Sequence, residues 1–184
     1  MVILYSLLLI LSLVFFVVFV LFILMQFLAV FTTDAPFVPV PKEIEDDILN
    51  TLELSPNSIL YDLGCGDARI LLRAVQKCPD IKAVGVDMGF IPYLLAKFKT
   101  RKHKNIQIKR EDIFKTDISS ATHIFLYLYP KVINKLIKNI QEQCKPGTRV
   151  ISCDFELTET LPTQIIELNK TTSPRGKKLF VYVI

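Results

Sequence analysis

The chain has 184 residues, 22 of them Lys or Arg and 18 Asp or Glu, for a formal net charge of +4. That is room for one domain with an appendage, and too weak a positive charge to argue for nucleic acid as a partner. Four cysteines (Cys65, Cys78, Cys144, Cys153) show neither Cys-x-x-Cys pairing nor ligand spacing to His103 or His123, which argues against a disulfide framework and against a bound metal.

From Met1 to Phe31 no charged residue occurs, and only Ser6, Ser12 and Gln26 interrupt an apolar run. As a helix this run would extend roughly 45 Å at 1.5 Å per residue, against a bilayer core of about 30 Å. A signal peptide would want a basic leading region, a shorter apolar stretch and small residues at a cleavage site. No Lys or Arg precedes the run, and Leu28-Ala29-Val30-Phe31 suits cleavage poorly. A core helix is excluded because a domain this small could not cover it on all sides. Residues 1–31 are therefore expected to be a transmembrane helix. Every charge follows it, so the positive-inside rule puts the rest of the chain on the cytoplasmic (or matrix) side.

Residues 32–41 read as a linker, since Pro36, Pro39 and Pro41 favour extended backbone and stop a helix. Residues 42–184 then form one domain. Ile44, Ile48, Leu49 and Leu52 recur at helical spacing and predict an amphipathic helix over Lys42–Leu54. Ser58–Leu63 reads as a buried strand running into a Gly-rich turn. Next come a helix over Ala68–Lys77, a strand over Ala83–Asp87, a helix over Ile91–Thr100 and a strand over Ile106–Lys109. A strand over His123–Tyr127, a helix over Lys131–Gln143 and a strand over Thr148–Cys153 follow. Such alternation implies parallel strands joined by right-handed crossovers. Gln164–Leu168 and Lys178–Val183, joined by a turn through Thr171–Gly176, predict a terminal antiparallel pair. The expected fold class is α/β: a Rossmann-like, mostly parallel sheet with a C-terminal antiparallel strand pair, preceded by one transmembrane helix.

Tyr61-Asp62-Leu63-Gly64-Cys65-Gly66-Asp67-Ala68-Arg69 sits at the first strand-to-helix turn. Gly64 permits a tight turn, and Gly66 lets the backbone approach a ligand closely. The following helix N-terminus offers free N–H groups to an anionic group. About twenty residues on, Val84-Gly85-Val86-Asp87 ends the second strand, where a carboxylate can accept both ribose hydroxyls. Ala68 stands where a dinucleotide fingerprint has its third glycine, which turns the reading away from NAD.

With these residues in order, the chain resembles the class I methyltransferases that use S-adenosylmethionine. Asp62–Asp67 resembles their first motif, Val84–Asp87 their second, and Arg110-Glu111-Asp112-Ile113 the acidic motif that contacts adenine. Pro36–Pro41, Tyr127-Leu128-Tyr129-Pro130, Lys145–Val150 and Ser152–Phe155 resemble segments of a family of membrane-anchored lysine methyltransferases. These modify the adenine nucleotide translocase and the ATP synthase c-subunit, and they have prokaryotic relatives. Three positions depart from that family: Cys153 replaces a frequent His, Asp87 a frequent Glu, and Ala68 a usual Gly. The resemblance implies that Asp62 meets the amino group of S-adenosyl-L-methionine, with the Gly64-Cys65-Gly66 turn beneath its methionine part. Asp87 would hold the ribose and Met88 would pack on adenine, while Asp112 and the Ile113 amide would read the adenine edge.

Acceptor residues belong at the carboxyl ends of the strands. Tyr127, Tyr129 and Asp154 reach there and are the candidate catalytic groups. Two of them have a plainer role available: strand packing for Tyr127, a turn or cap for Asp154. Arg69 fits a scaffold ion pair better than a ligand contact. Lys97–Lys104 is a solvated helix end or, in a sharper reading, a contact for phospholipid. The implied activity is protein-lysine N-methylation of a membrane-embedded protein, with the lipid bilayer as a second partner. A small-molecule or lipid methyltransferase would use the same anchor, and a catalytically silent binding domain would use the same fold.

Overall fold

The computed structural model describes residues 1–32, 38–158 and 160–184. The chain divides into two compact units, Met1–Pro36 and Phe37–Ile184. The first holds helix α1, Val2–Thr32, whose segment Ile3–Met25 is long and apolar enough to cross a membrane. Its described apolar side chains are exposed throughout.

In the second unit a single turn of 3-10 helix (Lys42–Ile44) leads into α2 (Glu45–Leu52). Strand β1 (Ile59–Leu63), α3 (Arg69–Lys77), β2 (Lys82–Val86), α4 (Phe90–Thr100) and β3 (Ile106–Lys109) follow. Then come β4 (His123–Leu126), α5 (Pro130–Gln143), β5 (Arg149–Cys153), β6 (Gln164–Glu167) and β7 (Lys178–Val183). The sheet has seven strands in the order β3-β2-β1-β4-β5-β7-β6. β1 to β5 are parallel, while β7 runs antiparallel to both β5 and β6. This is the expected mixed sheet.

The central strands are buried on both faces, which is why they read as apolar runs rather than alternating ones. On one face, α2 and α3 bring Ile44, Ile48, Leu52, Ile70 and Leu71 against Leu60, Phe125 and Ile151. On the other, α5 brings Ile133, Leu136 and Ile140 against Leu63, Val86 and Ile124. Three layers result, with the sheet in the middle. Gly85 of β2 permits the close fit on the α3 side: a Cβ there would lie 2.7 Å from Leu71 Cδ1 and 2.8 Å from Cys65 Sγ.

One expectation changes, and one helix is unlike its neighbour. The expected linker 32–41 is partly domain: residues 33–37 lie outside the described ones, but Val40 is buried in the core. Helix α4 also departs from the pattern of α3. It turns Ala96 and Thr100 inward and leaves its larger apolar residues exposed.

Candidate active site

The sheet order places β4 and β2 on opposite sides of β1, so successive crossovers diverge there. In open α/β sheets, ligands bind at the carboxyl ends of the strands at such a switch point. A shallow cleft open to solvent lies at this position. Asp62, Gly64, Cys65, Gly66 and Tyr127 line it, together with Phe125, Ile70 and the segment Val38–Val40.

The Gly-rich turn is pinned from β2. The N–H groups of Gly64 and Cys65 both donate to the Val86 carbonyl, at 2.8 and 3.0 Å. The Gly66 N–H donates to Asp87 Oδ2 at 3.0 Å, and the Gly89 N–H to Asp87 Oδ1 at 2.8 Å. Gly64 has φ +84°, and a Cβ on it would lie 2.7 Å from Leu128 Cδ2. Ala68 adopts φ 62°, a left-handed conformation that glycine would adopt without strain.

Asp62 is buried, and its carboxylate accepts no hydrogen bond among the described residues. Burial first, then the nearby charges of Asp87 and Asp67, pushes its pKa up to about 8. Asp87 is also raised, by burial, against the opposing pull of its two backbone hydrogen bonds. Asp67 behaves differently. Burial raises it, but hydrogen bonds from Arg69 and Lys99 outweigh that and bring it to about 2. Arg69 grips both Asp67 oxygens, at 2.9 and 3.0 Å, and donates from Nη1 to the Val40 carbonyl at 3.0 Å. It is thus a scaffold residue that ties the Val38–Pro41 strap to the turn.

Just past the end of β4, the Tyr127 hydroxyl oxygen is buried without a hydrogen-bond partner among the described residues. Burial, followed by the proximity of Cys153 and Asp154, raises its pKa to about 12. Tyr129 is outside the cleft wall, its ring 6.2 Å from that of Phe155 and tilted by 35°. Asp154 is outside it too, at φ +66°. Its carboxylate accepts N–H groups from Gly176 (2.6 Å), Lys177 (2.7 Å) and Lys178 (3.3 Å). The turn so held packs on the strap, because a Cβ on Gly176 would meet Ile44 Cδ1 at 2.6 Å and Pro41 Cγ at 3.2 Å.

The remaining candidates are not among the residues lining the cleft; Met88 follows β2, and Asp112 and Ile113 follow β3. Met88 is 54% exposed, and its carbonyl accepts from Arg110 Nε at 3.3 Å. Asp112 Oδ1 accepts the Phe114 N–H at 2.9 Å, while the Ile113 N–H donates to nothing among the described residues. Proline content made the strap read as a linker, although Pro36–Pro41 also stood among the segments that carry the family resemblance. Arg69, a cation inside the motif with no local partner except Asp67, was a second signal.

Comparison with known proteins places the chain. Residues 62–164 match the model of the ANTKMT methyltransferase domain. A protein-lysine N-methyltransferase of Saccharolobus islandicus is 33% identical over 81% of this chain and 93% of its own length. A Xenopus laevis lysine N-methyltransferase for the ATP synthase C-subunit is 26% identical over 71% of this chain, which spans 58% of that longer relative. The crystal structure of an RNA methyltransferase from Salinibacter ruber, in complex with S-adenosyl-L-homocysteine, superposes with a TM-score of 0.73. It is 31% identical and covers 80% of this chain and 94% of its own. With its Asp-Leu-Gly-Cys-Gly-Asp turn at the switch point of a seven-stranded mixed sheet, the chain belongs to the ANTKMT methyltransferase family of S-adenosylmethionine-dependent protein-lysine methyltransferases.

Proposed function

We propose that the protein is a membrane-anchored enzyme that methylates a lysine of a membrane-embedded protein, its domain on the cytoplasmic or matrix side. The observation that carries this reading is the cleft itself. It pairs an uncommitted Asp62 with an orphaned Tyr127 hydroxyl between apolar walls. The chain fits S-adenosylmethionine on several counts: the free Asp62 carboxylate for an ammonium, Asp87 for the ribose, and the unpaired Ile113 N–H with Asp112 for the adenine edge. Exposed Met88 adds an apolar surface for the ring. Bound there, the cofactor supplies an electrophilic methyl group on a cationic sulfur.

The protein's own task is to bring in a neutral amine. A lysine near its ordinary pKa of about 10.4 must lose a proton, at a cost of roughly 4–5 kcal/mol at pH 7. A desolvated channel lowers that cost by disfavouring the ammonium. Val38, Pro39, Phe125 and Ile70 supply such walls. With its pKa raised to about 12, Tyr127 keeps its proton at neutral pH. Its oxygen therefore orients the amine by accepting an N–H, and it does not act as a base. Tyr129 and Phe155 border the same strand ends. Asp154 acts one step away, by holding the turn that backs the strap. Positioning of this kind is what a direct transfer to nitrogen requires, and no protein nucleophile is needed.

The apolar span of α1 and the names of the eukaryotic relatives support a membrane-protein substrate, since a tether raises effective concentration for targets in the same bilayer. The Salinibacter relative favours a second reading, methylation of RNA. Incubation with methyl-labelled cofactor, native membranes and total RNA separates them. Label in methyl-lysine after protein hydrolysis is the expected result. Label in RNA or in extracted lipid would reject the lysine reading.

A further inference from the structure

Helix α4 is built the wrong way round for a helix of a soluble domain. Ile91, Leu94, Leu95 and Phe98 recur at i, i+3, i+4 and i+7, the spacing of a core-facing stripe. Yet these four are 43–65% exposed, and Phe90 beside them is 53% exposed. The same helix buries only Ala96 and Thr100. A contiguous apolar row of this kind marks an interaction surface.

Its surroundings say what it meets. Seven of the 22 Lys and Arg and none of the 18 Asp and Glu lie within Met88–Arg110, so the rest of the chain holds 15 basic against 18 acidic residues, a net −3. The basic side chains sit among the apolar ones. The Arg101 guanidinium lies 3.9 Å from the Phe98 ring centroid, that of Arg110 lies 5.1 Å from Phe90, and Lys97 Nζ lies 5.4 Å from Tyr93. Lys102 and Lys104 are exposed without a hydrogen-bond or ion-pair partner among the described residues. An apolar row rimmed by cations, with no carboxylate in the segment, is the pattern of a helix lying in a membrane interface. A phosphate backbone would use the cations but not the aliphatic Ile91, Leu94 and Leu95.

We infer that α4 docks on an anionic bilayer surface, its apolar row entering the headgroup–acyl boundary and Lys97, Arg101, Lys102, Lys104 and Arg110 meeting lipid phosphates. The inference rests on the membrane-anchored reading above and deepens it. The domain is then held at the surface by a second, charge-dependent contact, of the kind that two-signal anchoring requires. Each basic residue near such a surface is worth roughly fivefold in partitioning.

The chain contains no tryptophan, so Leu95→Trp introduces a single emitter in the row. The full chain carrying it is reconstituted in phosphatidylcholine vesicles with about 30% phosphatidylglycerol, part of the acyl chains brominated. Flotation first establishes that the chain stays with the vesicles. The expected result is loss of about half the emission or more to bromine quenching. That quenching should fall at least twofold without phosphatidylglycerol, in about 0.5 M salt, or with Lys102→Glu/Lys104→Glu added. An Ile165→Trp control, at the opposite edge of the sheet, should stay unquenched. A floated chain whose Leu95→Trp emission ignores brominated lipid overturns the docking while leaving the anchor intact, whether RNA or a second copy then proves to cover the row. A chain that does not float with the vesicles overturns the anchored reading itself.

Discussion

Asp62 is the residue where stability and function oppose each other most clearly. With a pKa of about 8 against an ordinary value of 3.8, the folded state holds its proton longer than the unfolded chain does. Stability is therefore greatest below the ordinary value, falls as pH rises, and levels off above about 8. Asp62→Asn removes this penalty. It should raise the melting temperature at pH 8 by roughly 5 °C or more, for a gain on the order of 2–4 kcal/mol. In the same variant S-adenosylmethionine affinity should drop at least tenfold, because an ammonium loses its carboxylate. Wild-type affinity should climb by up to tenfold per pH unit toward 8, with about one proton released on binding below that pH. Calorimetric titration in buffers of different ionisation enthalpy reads both. Tyr127→Phe makes a matching case. Deleting a buried hydroxyl without a partner should leave the melting temperature unchanged or higher, while turnover at saturating cofactor falls roughly ten- to a hundredfold. Wild-type turnover would move the amine elsewhere in the cleft. Asp62, Gly64 and Gly66, which line the cleft, and Asp87, which holds the turn, were legible as candidates because they occupy two short motifs at strand ends. The Asp154 partners were not, since Gly176, Lys177 and Lys178 are brought to it only by the antiparallel β7.

At the scale of elements, the strands matched the sequence reading closely. β3 and β7 have the expected ends, and β1, β2, β4, β5 and β6 differ by a residue at one end or both. Burial on both faces leaves an apolar run that Gly or a charged residue interrupts sharply. Burial of the strap and exposure of the α4 row could not be read in the same way. Both depend on which face of an element finds a neighbour, and periodicity reports a stripe without reporting its direction. The strap hangs on Arg69 and on the turn that Asp154 holds. Arg69→Ala should cost about 1–2 kcal/mol of stability and raise KM by roughly tenfold, with less effect on kcat. Arg69→Lys should rescue neither, since one ammonium cannot span both Asp67 oxygens and the Val40 carbonyl. Asp154→Asn sets an amide NH2 against backbone N–H groups. It should lower the melting temperature by a few degrees and raise KM in the same direction as Arg69→Ala. A change in kcat alone for Asp154→Asn would make it an amine-contacting group instead.

At the scale of the whole molecule, two units with different chemistry share one chain. The helix is apolar over its length, and every charge lies in the residues after it. The cofactor motifs and the cleft belong entirely to Phe37–Ile184. Removal of Met1–Phe31 should therefore leave S-adenosylmethionine affinity within about twofold, because none of the groups proposed to bind it is lost. Transfer to a bilayer-embedded lysine should suffer far more, through the lost effective concentration, by roughly a hundredfold at low enzyme concentration. The decisive measurement compares the full and truncated chains, at equal cofactor occupancy, for the rate of labelled methyl-lysine formation in one preparation of native membranes. A rate at least tenfold higher for the full chain, with the label in lysine of a membrane protein, is the predicted result. Equal rates, or label in RNA or lipid with either chain, would contradict a tethered methyltransferase acting on a lysine of the bilayer's own proteins.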